Sequence, residues 1–304
     1  MKPSNILRNQ IGDVMLYSGA VETIQELLTL LDLEQIEDNF FRGENYRAPW
    51  KRVFGGQTLA QALHAAYQTV PEGRYAHSLQ AYFILGGDID IPILYEVERI
   101  RDGGSFTTRR ITGIQKGQAI FIMSASFQKE EGGLAHQIDM PDVPPPEALI
   151  TDEEQAEMYR EKAPHLYKRA QTLPPFEFRP VETLNLLDPQ AHPPLKHTWI
   201  KAKGAMPDDK QVHQTTLAYA SDYNLNSTSF LPHYDQIGSN GLMTVSLDHG
   251  MWFHRDFRMD EWLLYVMDSP STSNARGFNR GSFFTRDGHL VASAVQEGLM
   301  RKRR

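Results

Sequence analysis

An α+β fold made of two tandem copies of one unit, each a helix followed by an antiparallel sheet, is predicted by three features of this 304-residue chain. Blocks of the first half recur in the second: Tyr82-Phe83 matches Trp252-Phe253, and Leu94-Tyr95 matches Leu264-Tyr265, both at an offset of 170 residues. These blocks sit in runs of Val, Ile, Phe, Tyr and Thr broken by glycine, the pattern of strands joined by hairpins. An apolar stretch of helical character precedes each run, and Thr58-Leu59-Ala60 is repeated as Thr216-Leu217-Ala218. Matches that keep both their order and nearly one offset point to internal duplication and not to chance.

Taken in order, Val21, Ile24, Leu27, Leu28, Leu31 and Leu33 recur at helical spacing opposite Glu22 and Glu26, which predicts an amphipathic helix over 20–33. After Phe54-Gly55-Gly56, the stretch Gln57 to Tyr67 is apolar on all sides and reads as a helix buried against a sheet, with the glycines letting the chain turn. From Ala76 to Gln128, strands are punctuated by Gly86-Gly87, Asp102-Gly103-Gly104 and Lys116-Gly117. Eleven of the 18 prolines lie between Pro141 and Pro194, around a capping-box pattern from Thr151 to Glu154, so this region reads as a long connector with one surface helix. The second unit then repeats the first: Ala125-Ser126-Phe127-Gln128 aligns with Ser293-Ala294-Val295-Gln296. The expected division is a first repeat at 20–130, a proline-rich linker at 131–195 and a second repeat at 196–304.

Composition removes several chemistries. With no cysteine, the chain has no disulfide, thiolate metal site, iron–sulfur cluster or cysteine nucleophile. It carries no G-x-S-x-G elbow, P-loop, H-E-x-x-H helix or G-x-G-x-x-G turn, and its 11 histidines are scattered, so neither a metal nor a cofactor is expected. A net charge of -7 argues against nucleic acid and anionic membranes as partners. No apolar run reaches the roughly 20 residues of a membrane span. The start, Met1 to Val14, lacks a secretory apolar core and the basic end, Arg301-Lys302-Arg303-Arg304, is not S-K-L, so a cytoplasmic location is expected.

Val53-Phe54-Gly55-Gly56-Gln57, Arg101-Asp102-Gly103-Gly104-Ser105-Phe106 with Arg109-Arg110, and Ser124-Ala125-Ser126-Phe127-Gln128 resemble motifs of the acyl-CoA thioesterase II family. So do Tyr219-Ala220-Ser221-Asp222, Leu247-Asp248-His249-Gly250-Met251-Trp252-Phe253-His254, Glu261-Trp262-Leu263-Leu264-Tyr265, Ala275-Arg276-Gly277-Phe278 and Val295-Gln296-Glu297-Gly298, in that order. The resemblance runs from about Val21 to the end of the chain. It implies a double hot-dog fold, in which each repeat wraps a curved antiparallel sheet around a long helix. It further implies hydrolysis of fatty acyl-CoA by a directed water, broad over medium to long chains, and self-association into dimers or tetramers.

Carried over by motif, the resemblance implies that Asp222, Ser246 and Gln296 hold the water. A thioester is already activated, so a carboxylate base and two polar groups suffice to orient water and meet the developing oxyanion. Judged by position alone, Asp222 suits helix capping or a surface ion pair better than catalysis, and Gln296 also suits a backbone hydrogen bond on a strand. Ser246 departs from the threonine associated with its position, keeping the hydroxyl with a freer χ1. Gln128 is expected to be the repeat counterpart of Gln296, whereas the helix Gln57 to Tyr67 has no acidic residue at the place of Asp222, which predicts one complete catalytic set per chain. Arg109, Arg110, Arg276 and Arg280 suit phosphate as well as solvent. Two other readings are a hot-dog enoyl-CoA hydratase and a non-catalytic acyl-CoA-binding protein. The hydratase pattern wants histidine five residues after the aspartate, where this chain has Ser227. Asp248-His249 is a poor substitute, because strand neighbours face opposite sides.

Overall fold

A computed structural model describes residues 21–46, 52–161, 175–185, 187–188, 190–236 and 242–302. The expectations placed on Met1 to Val14 and on Arg303-Arg304 lie outside these residues. The first helix, α1 (Ile24–Leu31), begins at a complete capping box, Thr23 with Glu26, and buries Ile24, Leu27, Leu30 and Leu31. It is shorter than the apolar spacing predicts. The chain then turns through Asn39, held at φ 65, to make a hairpin of β1 (Glu34–Glu37) and β2 (Phe40–Gly43) that the sequence pattern did not reveal.

Next come α2 (Gly55–Tyr67) and a meander of β3 (Arg74–Phe83), β4 (Ile93–Asp102), β5 (Phe106–Gln115) and β6 (Gln118–Lys129). The proline-rich region contains α3 (Asp152–Glu157), capped by Thr151 and Glu154 as its sequence indicates, and the strand β7 (Phe176–Pro180). The second unit follows as β8 (Leu195–Ala202), α4 (Lys210–Ser221), a 3₁₀ segment Asn226–Gln236, β9 (Leu242–Ser246), β10 (Asp248–Phe253), β11 (Leu263–Ser273), β12 (Arg276–Thr285) and β13 (Leu290–Lys302).

Among the described residues these strands form a single antiparallel sheet in the order β1-β2-β4-β5-β6-β3-β10-β13-β12-β11-β8-β7, with β9 extending alongside β13. The order of the first six is mirrored by the last six about the β3–β10 pair, where Leu79 faces Met251 and Ala81 faces His249. This is the double hot-dog arrangement. Helix α2 fills the first sheet with Leu59, Ala60, Ala62, Leu63, Ala65 and Ala66, none of them exposed. Alanine lets the sheet come close, and truncating Leu59 or Leu63 would cost about 2–5 kcal/mol. Helix α4 lies antiparallel to α2: the amino end of α2 meets Tyr219 and Asp222, while Tyr67 near its carboxyl end hydrogen-bonds Gln214.

The strand ladders correct one expected correspondence. Gln80 faces Ser124, and Gly250, which lies 170 residues after Gln80, faces Val295. The counterpart of Gln296 is therefore Ala125, and Gln128 sits three positions further along on the opposite face. The two four-residue blocks share their last letter, but an odd shift along a strand exchanges the buried and outer faces.

Candidate active site

Asp222 occupies the residue after the last turn of α4, yet its carboxylate does not cap that helix. Oδ2 accepts the backbone N–H of Gly56 at 2.9 Å, in the first turn of α2, and Oδ1 accepts Nε2 of Gln296 at 2.7 Å. The same amide nitrogen donates to Ser246 Oγ at 3.1 Å. The three residues expected from the sequence thus converge from α4, β9 and β13, separated in the chain by up to 74 residues. Gln296 is fully buried, and its Oε1 is left without a partner among the described residues. An orphan acceptor beside a carboxylate and a hydroxyl is what a bound water would satisfy.

Burial pushes the Asp222 carboxyl above the ordinary aspartate value, while the Gln296 and Gly56 hydrogen bonds pull it back. The positive end of the α2 dipole also favours the ionised form. The result is a partly desolvated carboxylate, held at both oxygens, with lone pairs still free to take a proton.

The glycines that open α2 are needed for a reason other than the turn expected from the sequence. Neither Gly55 nor Gly56 has a positive φ. A Cβ on Gly55 would lie 2.7 Å from Asp222 Oδ2, and one on Gly56 would lie 2.3 Å from the Tyr219 carbonyl oxygen. Both are glycine so that the end of α4 and its carboxylate can reach the N–H groups of α2.

Asp222 and Ser246 line a cleft of about 550 Å³. Its apolar wall comes mainly from the first half through Phe54, Phe83, Ile120 and Phe121, with Phe230 opposite. Arg52 and Asp222 are the only charged residues of this lining among those described. Arg52 is exposed at the rim, its stem packed over Gly86; no sequence motif marked it. The arginines that the sequence did mark are engaged elsewhere. Arg109 is fully buried and bonded to Thr69 and Asp102, and Arg110, Arg276 and Arg280 pair with Glu98, Glu297 and Asp268. Asp248 and His249 face opposite ways as expected: Asp248 accepts the Glu297 N–H at 2.6 Å, and His249 is buried against Ser221. Ser227 is on the cleft wall, and no histidine among the described residues is. No cluster able to hold a metal occurs among the described residues, and no described helix is long and apolar enough to cross a membrane.

Residues 167–299 match the family model described as acyl-CoA thioesterase, and residues 46–128 match that of the acyl-CoA thioesterase N-terminal domain. The chain is 41% identical to acyl-coenzyme A thioesterase 8 of Homo sapiens, over 90% of this chain and 88% of the relative. A solved acyl-CoA thioesterase II from Mycobacterium marinum superposes with a TM-score of 0.75 at 38% identity, covering 90% of this chain and 97% of that one. A protein of unknown function with a hot-dog fold from Alicyclobacillus acidocaldarius superposes with a TM-score of 0.71 at 20% identity, over 90% and 97% of the two chains.

Proposed function

The chain belongs to the acyl-CoA thioesterase family and is an acyl-CoA hydrolase, and from that premise we propose that Asp222, Ser246 and Gln296 direct a water onto the thioester carbonyl, with no covalent intermediate. The observation that carries this reading is the Asp222–Gln296–Ser246 hydrogen-bonded set, of which Asp222 and Ser246 line a cleft of about 550 Å³. Gln296 Oε1 and the Ser246 hydroxyl hold the water against Asp222. As the water oxygen attacks the carbonyl carbon, Asp222 takes its proton. The amino end of α2 supplies positive potential for the developing oxyanion. Collapse of the tetrahedral intermediate breaks the carbon–sulfur bond, and the departing thiolate recovers the proton from Asp222. The products are free fatty acid and coenzyme A.

The substrates are fatty acyl-CoAs of medium to long chain, supported by the apolar wall of Phe54, Phe83, Ile120, Phe121 and Phe230. Arg52 at the rim meets a phosphate of coenzyme A, since a guanidinium without a carboxylate partner among the described residues suits that anion. Dimers or tetramers of the double hot-dog chain are the assembly we propose, to be read by light scattering on the eluting protein.

The test is release of free thiol from a panel of saturated acyl-CoAs by the wild type and by Asp222→Asn. The variant should keep its fold and lose turnover by about 10²–10⁴-fold, the worth of a general base. Near-normal turnover would mean that the base lies elsewhere. Tight acyl-CoA binding by the wild type without thiol release would leave a binding protein.

A further inference from the structure

One buried side chain beside the site is not used by the mechanism. His249 is 1% exposed, and burial pushes its pKa down to about 3, so the ring is neutral at working pH. Its Nε2 lies 2.9 Å from the Ser221 hydroxyl. That hydroxyl donates to the Ala218 carbonyl at 2.9 Å, which fixes the direction of the other bond: His249 Nε2–H donates and Ser221 Oγ accepts. The hydroxyl also touches Met251 Sδ at 3.2 Å, and the Ser221 carbonyl oxygen accepts Tyr265 O–H at 2.9 Å. Ser221 is the residue immediately before Asp222, and His249 lies three residues after Ser246. The His249–Ser221 hydrogen bond therefore ties the end of the helix that carries the base to β10, the strand that directly follows the hydroxyl-bearing β9.

The first half provides a control inside the same molecule. At the helix offset of 158 defined by Thr58-Leu59-Ala60, Ser221 corresponds to Leu63; at the strand offset of 170, His249 corresponds to Leu79. Both leucines are fully buried members of the same core. An apolar pair meets the packing demand there, and it leaves nothing unpartnered. In the second half the same two positions hold a serine and a histidine whose Nδ1 has no partner among the described residues. A buried orphan nitrogen is a burden that packing alone gives no reason to carry. At this pair of positions it is present in the half whose helix ends in the base and absent from the other, where both residues are leucine.

We infer that His249, acting through Ser221, is a positioning residue that sets Asp222 against Ser246 and Gln296 for attack by water. The inference rests on the reading of Asp222 as the base.

The experiment measures kcat, KM and thermal midpoint with decanoyl-CoA for His249→Leu, Ser221→Ala, their double variant, His249→Gln and Asp222→Asn. Misplacing a base by about 1 Å costs up to about a hundredfold. His249→Leu and Ser221→Ala should each lower kcat by about ten- to a hundredfold with KM little changed. The double variant should be no worse than the worse single one, because both remove one bond. His249→Gln, which keeps an N–H donor, should recover most of the rate. Ser221→Ala adds no bulk, so it carries the test if His249→Leu does not fold. Wild-type kcat in folded Ser221→Ala, or losses that multiply in the double variant, would overturn the inference. Turnover retained by Asp222→Asn would instead overturn the assignment of the base.

Discussion

The two halves of the chain share one topology and differ at the positions that carry chemistry. Asp222, Ser246 and Gln296 of the second half correspond by helix offset, strand offset and ladder register to His64, Ala76 and Ala125 of the first. The cleft equivalent to the active site also exists, but Lys210 on its wall, in the first turn of α4, forms ion pairs with Glu130 and Asp256. At the amino end of α2 the corresponding region holds Gly55 and Gly56, which leave room for a carboxylate. The first half is nevertheless part of the site, because it contributes the Gly56 N–H and most of the apolar wall. Duplication lets one copy keep the reacting groups while the other keeps the surface they work against, and neither half is complete alone.

That division can be broken most severely at the contact between halves. Gly55→Val places a branched side chain where Asp222 Oδ2 sits, and turnover should fall by about a hundredfold, with a smaller change in thermal midpoint. Activity near that of the wild type in a folded variant would show that the carboxylate does not depend on this approach. A matched pair sharpens the comparison: Gln296→Ala should lose about ten- to a hundredfold in kcat, whereas Gln128→Ala should lose nothing. Equal losses would restore the correspondence that the ladders remove. Arg52→Ala should raise KM by about tenfold with kcat intact, since one phosphate contact is worth about 1.5–3 kcal/mol at most.

The raised pKa of Asp222 sets the acid side of the profile. The carboxylate must be ionised to act, so kcat/KM should fall with decreasing pH at a value above that of an ordinary aspartate. The sign for stability is opposite. A carboxyl whose pKa is higher folded than unfolded favours folding below the unfolded value, and that advantage is lost as pH rises through the folded one. At neutral pH the Asp222 carboxylate therefore destabilises the fold, and Asp222→Asn should melt no lower than the wild type and lose the pH dependence this group contributes. The smallest effect belongs to Ser246→Thr, which restores the β-branched hydroxyl residue and should stay within about threefold of the wild-type rate.

The repeat was legible because its central strands are long and apolar on one face, and glycines mark their turns. The strands β1, β2 and β7 were not, being 4 or 5 residues long; β1 is exposed throughout, and β7 lies in a proline-rich stretch. Asp222, Ser246 and Gln296 are legible through motif resemblance, since position alone leaves Asp222 and Gln296 with ordinary structural roles. Gln128 was misaligned with Gln296 because similarity in four letters carries no information on which face a strand residue takes. The roles of Gly55 and Gly56 depend on a helix more than 160 residues away, and the bond from His249 to Ser221 spans 28 residues. Such contacts exist only in the folded chain.

The most direct test of water attack is a single turnover of decanoyl-CoA in ¹⁸O-labelled water, quenched at intervals and followed by mass spectrometry of the intact protein and of the peptide containing Asp222. The account predicts unmodified protein at every time point, unlabelled Asp222 and label in the released fatty acid alone. An acylated protein, or ¹⁸O in the Asp222 carboxylate, would contradict it by showing that a side chain attacks first.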